Sequence, residues 1–600
     1  MATFEVWSKK GMTAFLIICI FLVALSPVLT SVLHITPYVL QFTNGSSPNS
    51  NWVIDPQIKQ MTNGNDSEWI PVIIRFKNYI DTSMIEELEN LTYLKIRYTA
   101  QGDPLLVNLG NINALGCEIQ GYNSVEEFTK QYQDKILYVE NSFEQHISPD
   151  SMVNETSDML QTANSYGTNG GLNQINDIQQ QGIKWWVSIT QAPEVWNSQV
   201  NGHNITGQGV SIAFLDAGID DSAFDTPGGQ FYKNGTGKVI LDINGFIGIV
   251  YDTSNTTYDP VPDTHPYGVD HGTAVAGTAA GGNGSGTAPG ANIIDILVIN
   301  WDFTYDPTNI MFWMGWCVAN RDKYNITVIN FSDGTDNPLL MSQTLMDTIN
   351  YIQNYCGIVV SLAAGNSGNQ IRTIGNPGDA EYAITSGSCN SLGLPSYITS
   401  FGPSWDGDPK PELLAPSASG HTSLSAPATA GVAALLAQTC EELNIPRGEW
   451  ALRIRAALIR GASMNDIILL GWDPASGYGL LNALDSFQQI NDTSSWTKHV
   501  EVAKWPYTYA TPDGLYILLI GPIALTIYYW NVRVTVECDG QNASLYLVGV
   551  QDFVPINGLG AIGSLQGEWL MALGQKNSIS YQALSLTQNA FFTPAVVGWI

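Results

Sequence analysis

Four polar side chains in separate parts of the chain have the residue types that acyl transfer at a carbonyl requires. They are Asp216 at the end of VSIAFLD, His271 at the start of HGTAVAGTAAGG, Asn366 in AAGNSG and Ser423 in HTSLSAP. A serine can act as nucleophile, an imidazole can accept and return its proton, and a carboxylate can orient that imidazole. An amide can donate to an oxyanion. The order Asp, His, Ser is one that such triads use.

Each of these four residues also has an ordinary structural interpretation. Asp216 could cap a strand end, His271 could lie in a helix core, Asn366 could belong to a turn and Ser423 could be a helix N-cap. A single match would favour these interpretations. All four motifs in this order are improbable by chance, so we expect a nucleophilic serine centre.

The segments that carry these residues alternate between apolar strands and helices. We predict strands at Val210–Leu215, Ile293–Ile299, Thr327–Phe331 and Ile358–Leu362. This pattern predicts an α/β fold with a mostly parallel sheet and helices on both faces, in which sites form beyond the carboxyl ends of the strands. The helices predicted between or after the strands are Gly272–Ala280, Leu339–Tyr355 and Pro427–Leu443.

The stretch around Ser423 predicts a buried helix, because residues 420–436 are mostly small or apolar. Pro427 is expected in the first turn, where its missing N–H is tolerated. Ser423 would then lie at the positive end of the helix dipole, beside backbone N–H groups that can hold an oxyanion.

Taken together, the motifs make the chain resemble the subtilisin-like serine peptidases. The resemblance covers nearly all of residues 183–487 and rests on VSIAFLDAGID, HGTAVAG, GTAPGANIIDILVI, VINFSDG, AAGNSG, TSLSAP and GYGLLNALDSF.

The resemblance implies a role for each site residue. Ser423 would attack the peptide carbonyl, His271 would act as base and then acid, and Asp216 would orient His271. Asn366 would stabilise the oxyanion. An extended peptide substrate would pair as an added strand with the substrate-binding residues, which are Ser332, Asp333 and Gly334.

The chain also departs from the family pattern. His421 stands where glycine is usual, Ser425 where alanine is usual, and Ala428 and Ala274 where histidines are common. Only six residues separate Pro416 from Ser423, which shortens a loop that normally helps to wall the cleft.

Composition shifts divide the chain into five parts. We predict a signal peptide or retained membrane anchor at 1–33, a small α/β domain at 68–148, a linker at 149–182, the catalytic domain at 183–490 and a β-sandwich-like domain at 491–600. The resemblance implies that the small domain is an inhibitory pro-domain. The apolar run Leu515–Trp530 is split by Gly521–Pro522, which favours strands over a membrane span.

Lys9 and Lys10 precede an apolar run from Met12, which is typical of export signals and predicts a secreted protein or one attached to the outer face of the membrane through residues 12–33. About a dozen Asn-x-Ser/Thr sites support export, among them Asn90, Asn325 and Asn330. Export permits disulfides, and we expect one among the four cysteines between 317 and 440.

The charge balance excludes one class of partner. The chain has 54 acidic and 24 basic residues, a net charge of -30, so nucleic acid is not an expected partner. No metal-binding or cofactor-binding pattern is present in the sequence, and we expect neither. The expected partners are polypeptide substrates and the chain's own pro-domain.

Two further functions are compatible with the same fold. The first is an inactive surface protein that keeps the fold for binding or structure; the complete set of four site residues disfavours it. The second is the acid-acting relative of the fold, which carries Glu and Asp in place of the His and the oxyanion Asn. Both positions here keep the residues that suit neutral pH.

Overall fold

The computed structural model describes two units of the chain, and each is treated by itself. Ser50–Lys498 form one compact unit, and the strands that follow Lys498 belong to a second. Residues 1–33 and the linker 149–182, with the export and linker predictions made for them, lie outside the described residues. The described residues are 53–62, 66–146, 183–220, 231–233, 236–246, 249–252, 269–282, 284–300, 303–335, 342–404, 408–463, 465, 472–491 and the strands between 500 and 592.

A small α/β domain comes first in the chain. Four of its strands form an antiparallel sheet in the order β2-β4-β1-β5, and β3 pairs with β4 at the side. Its apolar face packs against its own helices, with Phe128, Leu88 and Ile58 fully buried. The elements are α1 Pro56–Met61, β1 Trp69–Phe76, α2 Thr82–Glu89, β2 Leu94–Ile96, β3 Leu106–Leu109, β4 Ile112–Gln120, α3 Tyr122–Gln131, β5 Ile136–Asn141 and β6 Gln145–His146.

The larger domain is built on an eight-stranded sheet in the order β13-β12-β14-β9-β16-β17-β18-β19. All neighbours are parallel except β12 and β13. The elements are α4 Trp185–Ser188, α5 Ala192–Trp196, β7 Gln199–Val200, β8 His203–Asn204, β9 Ser211–Asp216, β10 Tyr232–Lys233, β11 Thr236–Gly237, β12 Val239–Asn244, β13 Ile249–Asp252, α6 Val269–Ala280, β14 Asn292–Leu297, β15 Thr304–Tyr305, α7 Pro307–Ala319, β16 Ile326–Phe331, α8 Gln343–Tyr355, β17 Val359–Ala363, β18 Ile384–Cys389, β19 Leu413–Pro416, α9 Thr422–Glu442, a 3₁₀ turn Arg447–Glu449, α10 Trp450–Ser463 and α11 Ala483–Asn491.

Helices cover both faces of this sheet, as the sequence predicts. One face packs on α6, α9, α10 and α11, and the other packs on α7 and α8. Successive residues of β9 serve the two cores in turn, since Ile212 and Phe214 belong to the first and Ala213 and Leu215 to the second. A strand buried on both faces needs a continuous apolar run, which is the pattern seen in its sequence.

The small domain lies against α7 and α8 of the larger domain. Tyr138 bonds Thr344 through their hydroxyls at 3.2 Å, and Arg75 lies 3.5 Å from Asp347. The tail of the small domain continues as β6, which pairs antiparallel with β15 just before α7. The two domains therefore share a polar and apolar interface as well as a strand pairing.

The last unit contains antiparallel strands. The described residues within 515–530 lie in strands, as expected, and among the described residues no helix is long and apolar enough to cross a membrane. Strands β20 and β24 pair, β21 and β22 pair, and β23-β26-β27-β25 form a sheet that β28 joins through β27. The strands are β20 Val500–Ala503, β21 Ile517–Ile520, β22 Ile523–Thr526, β23 Tyr528–Asn531, β24 Arg533–Val536, β25 Leu547–Val548, β26 Val550–Ile556, β27 Gly560–Gln575 and β28 Ser578–Phe592.

Two local expectations were wrong. Helix α9 begins at Thr422, so Pro427 lies inside the helix and not in its first turn, and its ring nitrogen has no hydrogen to donate. The expected disulfide is also absent, because all four cysteines between 317 and 440 are free and buried. Burial raises the pKa of Cys356 to about 11, so that thiol stays protonated at neutral pH.

Glu140 is a buried carboxyl at the contact between the two domains. It accepts hydrogen bonds from the Ser342 hydroxyl at 2.8 Å and from the Thr344 N–H at 3.2 Å, at the start of α8. Burial raises the pKa of Glu140 to about 7, although those hydrogen bonds oppose the shift. A raised pKa means that the folded state favours the protonated carboxyl.

We predict that Glu140→Gln stabilises the protein more at pH 8 than at pH 5. The stabilising effect of protonated Glu140 is fully present below its unfolded pKa, near 4.5, and is lost as pH rises through about 7. Glutamine stays neutral throughout, so the difference in Tm between variant and parent should grow with pH. Thermal unfolding in a Ser423→Ala background measures it. Glu86→Gln, at an exposed position, is the control, and an equal difference at both pH values would contradict the prediction.

Candidate active site

Asp216 is the last residue of β9, near the middle of the large sheet. It is fully buried, and its Oδ1 accepts a hydrogen bond from the Ala217 N–H at 2.7 Å. The same oxygen lies 2.8 Å from Nδ1 of His271. The carboxylate is thus fixed by the backbone turn that follows the strand and is aimed at the imidazole.

His271 lies in the first turn of α6, and its side chain is 15% exposed. The helix can approach the strand turn because Gly272 follows the histidine. A Cβ on Gly272 would lie 2.1 Å from the Gly218 carbonyl oxygen and 3.1 Å from Asp216 Oδ1. Glycine is therefore required there for the contact between Asp216 and His271.

Ser423 is the second residue of α9, which follows the N-cap residue His421. The residue before it, Thr422, donates from its backbone N–H at 2.9 Å and from its hydroxyl at 3.0 Å to Oδ1 of Asn366. The Thr422 hydroxyl also accepts from the Gly365 N–H at 3.1 Å. With its oxygen held in this way, the Asn366 amide keeps its N–H donors for another acceptor.

Thr422 is the functional residue that sequence reasoning missed. Its hydroxyl connects the loop after β17 to the start of α9, and so fixes Asn366 relative to Ser423. No local sequence pattern indicates this bond, because it joins segments that are 56 residues apart.

The predicted substrate-binding residues follow β16 directly. Ser332 is held by Asn330, whose Nδ2 donates to the Ser332 hydroxyl at 2.8 Å. Gly334 lies so close to the segment that contains Asn376 that a Cβ on Gly334 would be 2.7 Å from the Asn376 carbonyl oxygen. Asn330 is buried, so this Asn-x-Ser site is not accessible to a glycan in the folded protein.

Asp333 lies beside the pair formed by Asp216 and His271. One oxygen of its carboxylate is within 4.8 Å of a ring nitrogen of His271 and of a carboxylate oxygen of Asp216. The three side chains form one cluster of a ring nitrogen and two carboxyl groups, in which Nδ1 of His271 faces Asp216.

The departures from the family pattern fit into the local packing. The Ser425 hydroxyl donates to the Ala415 carbonyl at 3.0 Å, so this extra polar group is satisfied. Ala428 contributes its carbonyl to the Thr287 hydroxyl at 3.0 Å. His421 is mostly buried, with Nδ1 3.2 Å from the Ser419 hydroxyl. These contacts keep α9 in place without the residues that are usual in the family.

One edge of the site is the strand β15. Tyr305 of this strand donates from its hydroxyl to Gln145 Oε1 at 2.6 Å, while β6 pairs with the strand backbone. Burial, with the nearby carboxylates Asp333 and Asp379, raises the pKa of Tyr305 well above its usual value, so the phenol remains a donor.

A carboxylate–imidazole pair and a serine at the start of a buried helix are the groups that serine hydrolases use. Residues 207–479 match the family model described as the subtilase family. This stretch of the chain is therefore similar to the subtilisin-like serine peptidases.

Curated relatives agree with this assignment. Serine protease AprX of Bacillus subtilis (strain 168) is 30% identical over 257 residues, 38% of this chain and 51% of the relative. Subtilisin E of the same strain is 28% identical over 275 residues, 43% of this chain and 61% of the relative. Pyrolysin of Pyrococcus furiosus is 26% identical over 372 residues, 49% of this chain and 26% of the relative. The chain thus spans about half the length of the first curated relative that it matches.

We predict that Gly272→Ala destabilises the protein and disturbs the histidine. The added methyl group would overlap the Gly218 carbonyl, and the helix must move away from Asp216. Overpacking of this kind costs about 1–3 kcal/mol. Chemical denaturation measures the loss, and the matched control is Gly448→Ala, where no atom lies within 4 Å of the new Cβ. Equal stability of the two variants would refute the close-contact argument.

Proposed function

We propose that this protein is an extracellular serine endopeptidase with Asp216, His271 and Ser423 as its catalytic triad, made as a zymogen that processes itself. The observation that carries the proposal is the 2.8 Å contact between His271 Nδ1 and Asp216 Oδ1 at the carboxyl edge of the parallel sheet. The complete set of site residues disfavours the alternative, an inactive surface protein that keeps this fold for binding.

The reaction would proceed by acyl transfer in two steps. Ser423 Oγ bonds to the peptide carbonyl carbon while its proton passes to Nε2 of His271. The imidazolium, held by Asp216, then protonates the leaving amine as the C–N bond breaks. Water repeats the sequence on the acyl-enzyme and releases the second product.

The oxyanion that forms in each step requires fixed donors. We propose the Asn366 amide and the backbone N–H of Ser423 for this role, because Thr422 fixes the amide oxygen at the start of α9. Fixed donors act without reorganisation at the moment of reaction, and each is worth on the order of 10²–10³ in turnover.

Polypeptides are the substrate class that we propose. The pairing of β6 with β15 supports it, because this edge of the site accepts an extended chain as an added strand. Ser332–Gly334 would supply the opposite edge of the same groove.

The small domain would serve as the inhibitory pro-domain. Its tail, β6, enters the groove beside the site, and its sheet binds the start of α8 through Glu140 and the start of α7 through Ser142, which bonds Asp306 at 2.8 Å. Cleavage in the linker after β6 would break the covalent connection to the larger domain while these contacts persist. The export signal predicted at residues 1–33 supports an extracellular site of action, by secretion or by attachment to the outer face of the membrane.

We predict that residues 34–600 cleave themselves between about 140 and 185, and that the Ser423→Ala twin stays intact. The first protein should also be labelled at Ser423 by a serine-directed phosphonate, because an activated hydroxyl attacks it. Mass spectrometry of both proteins measures the cut and the label. An uncut, unlabelled parent that is folded by circular dichroism would favour the inactive alternative.

We further predict that Thr422→Val lowers kcat by roughly 10- to 100-fold with little change in KM. The loss of the hydroxyl releases Asn366, which acts mainly in the transition state, and the full loss of one oxyanion donor sets the upper bound. Thr439→Val is the matched control, a buried threonine of the same helix whose hydroxyl bonds Leu435. A change in KM alone would contradict the assigned role.

A further inference from the structure

The segment that follows β16 brings a second carboxylate to the catalytic histidine. An oxygen of Asp333 lies within 4.8 Å of a ring nitrogen of His271 and of an oxygen of Asp216. The proposed triad uses one carboxylate, that of Asp216. The resemblance to the subtilisin-like peptidases gives Asp333 only a place among the substrate-binding residues. A second negative charge at this distance must act on the imidazole whether or not a substrate is present.

The backbone holds Asp333 firmly in this place. Ser332 before it is bonded to Asn330, and Gly334 after it packs against the Asn376 carbonyl. Thr335 and Asn376 exchange backbone hydrogen bonds at 2.9 Å in each direction. The backbone that carries the Asp333 carboxyl group is therefore held on both sides.

Burial makes the charge effective. Asp333 is 6% exposed and Asp216 is fully buried, so little water screens either carboxylate from the ring. Among the described residues, the carboxyl groups clustered with His271 are Asp216 from the end of β9 and Asp333 from the end of β16. Farther out, Tyr305 of β15 lies near both Asp333 and Asp379, which is in the loop before β18.

We propose that Asp333 is a positioning residue that acts through His271, where its carboxylate stabilises the imidazolium that forms when Ser423 is deprotonated. This inference rests on the proposed peptidase function. The proton balance is unchanged, since the proton moves from Ser423 Oγ to His271 Nε2 and then to the leaving amine. Asp333 takes no part in this proton transfer.

The proposal has two linked kinetic consequences. The charge on Asp333 favours the protonated imidazole in the free enzyme, so the acid limb of kcat/KM lies at higher pH than it would without Asp333. The same charge favours the imidazolium in the transition state, so it raises kcat on the pH plateau. A residue with only a structural role would shift neither the limb nor the plateau in this paired way.

The test compares Asp333→Asn with the parent in the full chain, on peptide substrates that carry no charge. The acid limb of Asp333→Asn should move to lower pH by about 0.5–1 pH unit, and plateau kcat should fall about 3- to 10-fold, with KM changed less than twofold. Asp333→Glu should restore both in part. Titration of active sites with a phosphonate normalises the rates, so poor folding cannot imitate the effect.

Asp379→Asn is the matched control, because Asp379 is another buried carboxylate near Tyr305 that is not part of the cluster with His271. It should leave the acid limb in place. An unchanged limb in Asp333→Asn, or a change only in KM for cationic peptides, would overturn the proposal and make Asp333 a specificity residue. If the parent itself were neither labelled nor active, the failure would be that of the peptidase function.

Discussion

The contact between the start of α6 and the end of β9 is the constraint on which the rest of the site depends. A hydrogen bond between an imidazole and a fully buried carboxylate requires the helix to lie almost against the strand turn. Gly272 removes the side chain that would prevent this approach, and Asp216 is held by the N–H of the next residue. The parallel sheet suits this need, because the residues that follow the carboxyl ends of its strands meet at one edge.

Helix α9 must also approach its neighbours closely. Most of its length is fully buried, and Gly431 lies where a Cβ would be 2.0 Å from the Thr287 hydroxyl and 2.5 Å from the Ala279 carbonyl. Close packing of α9 on α6 fixes the distance between the segments that carry Ser423 and His271. The close packing of α9 on α6 therefore requires small residues along the helix.

From the sequence we could predict the parallel sheet, its central strands and the positions of Asp216, His271 and Asn366 relative to the sheet. Apolar runs and strand-end residues carry that information locally. It did not allow the start of α9 to be predicted, since proline is favoured in first turns and only tertiary packing tolerates Pro427 inside a helix. Nor did it reveal the bond between Thr422 and Asn366 or the approach of Asp333 to His271. Both join segments far apart in the chain, and no local pattern records such a distance.

The small domain contacts two helices of the larger domain, α7 and α8. At α8, Glu140 binds the Ser342 hydroxyl and the Thr344 N–H; at α7, Ser142 and Arg97 both bind Asp306, the N-cap residue of that helix. These contacts involve the two helices, whereas β6 pairs with β15 at the edge of the proposed groove. A cut after β6 would break the covalent connection but none of the helix contacts, so the small domain would stay bound and keep β6 in the groove. Release of the site would then require a second event at the helix interface, where the buried carboxyl of Glu140 is the group whose charge weakens the contact as pH rises.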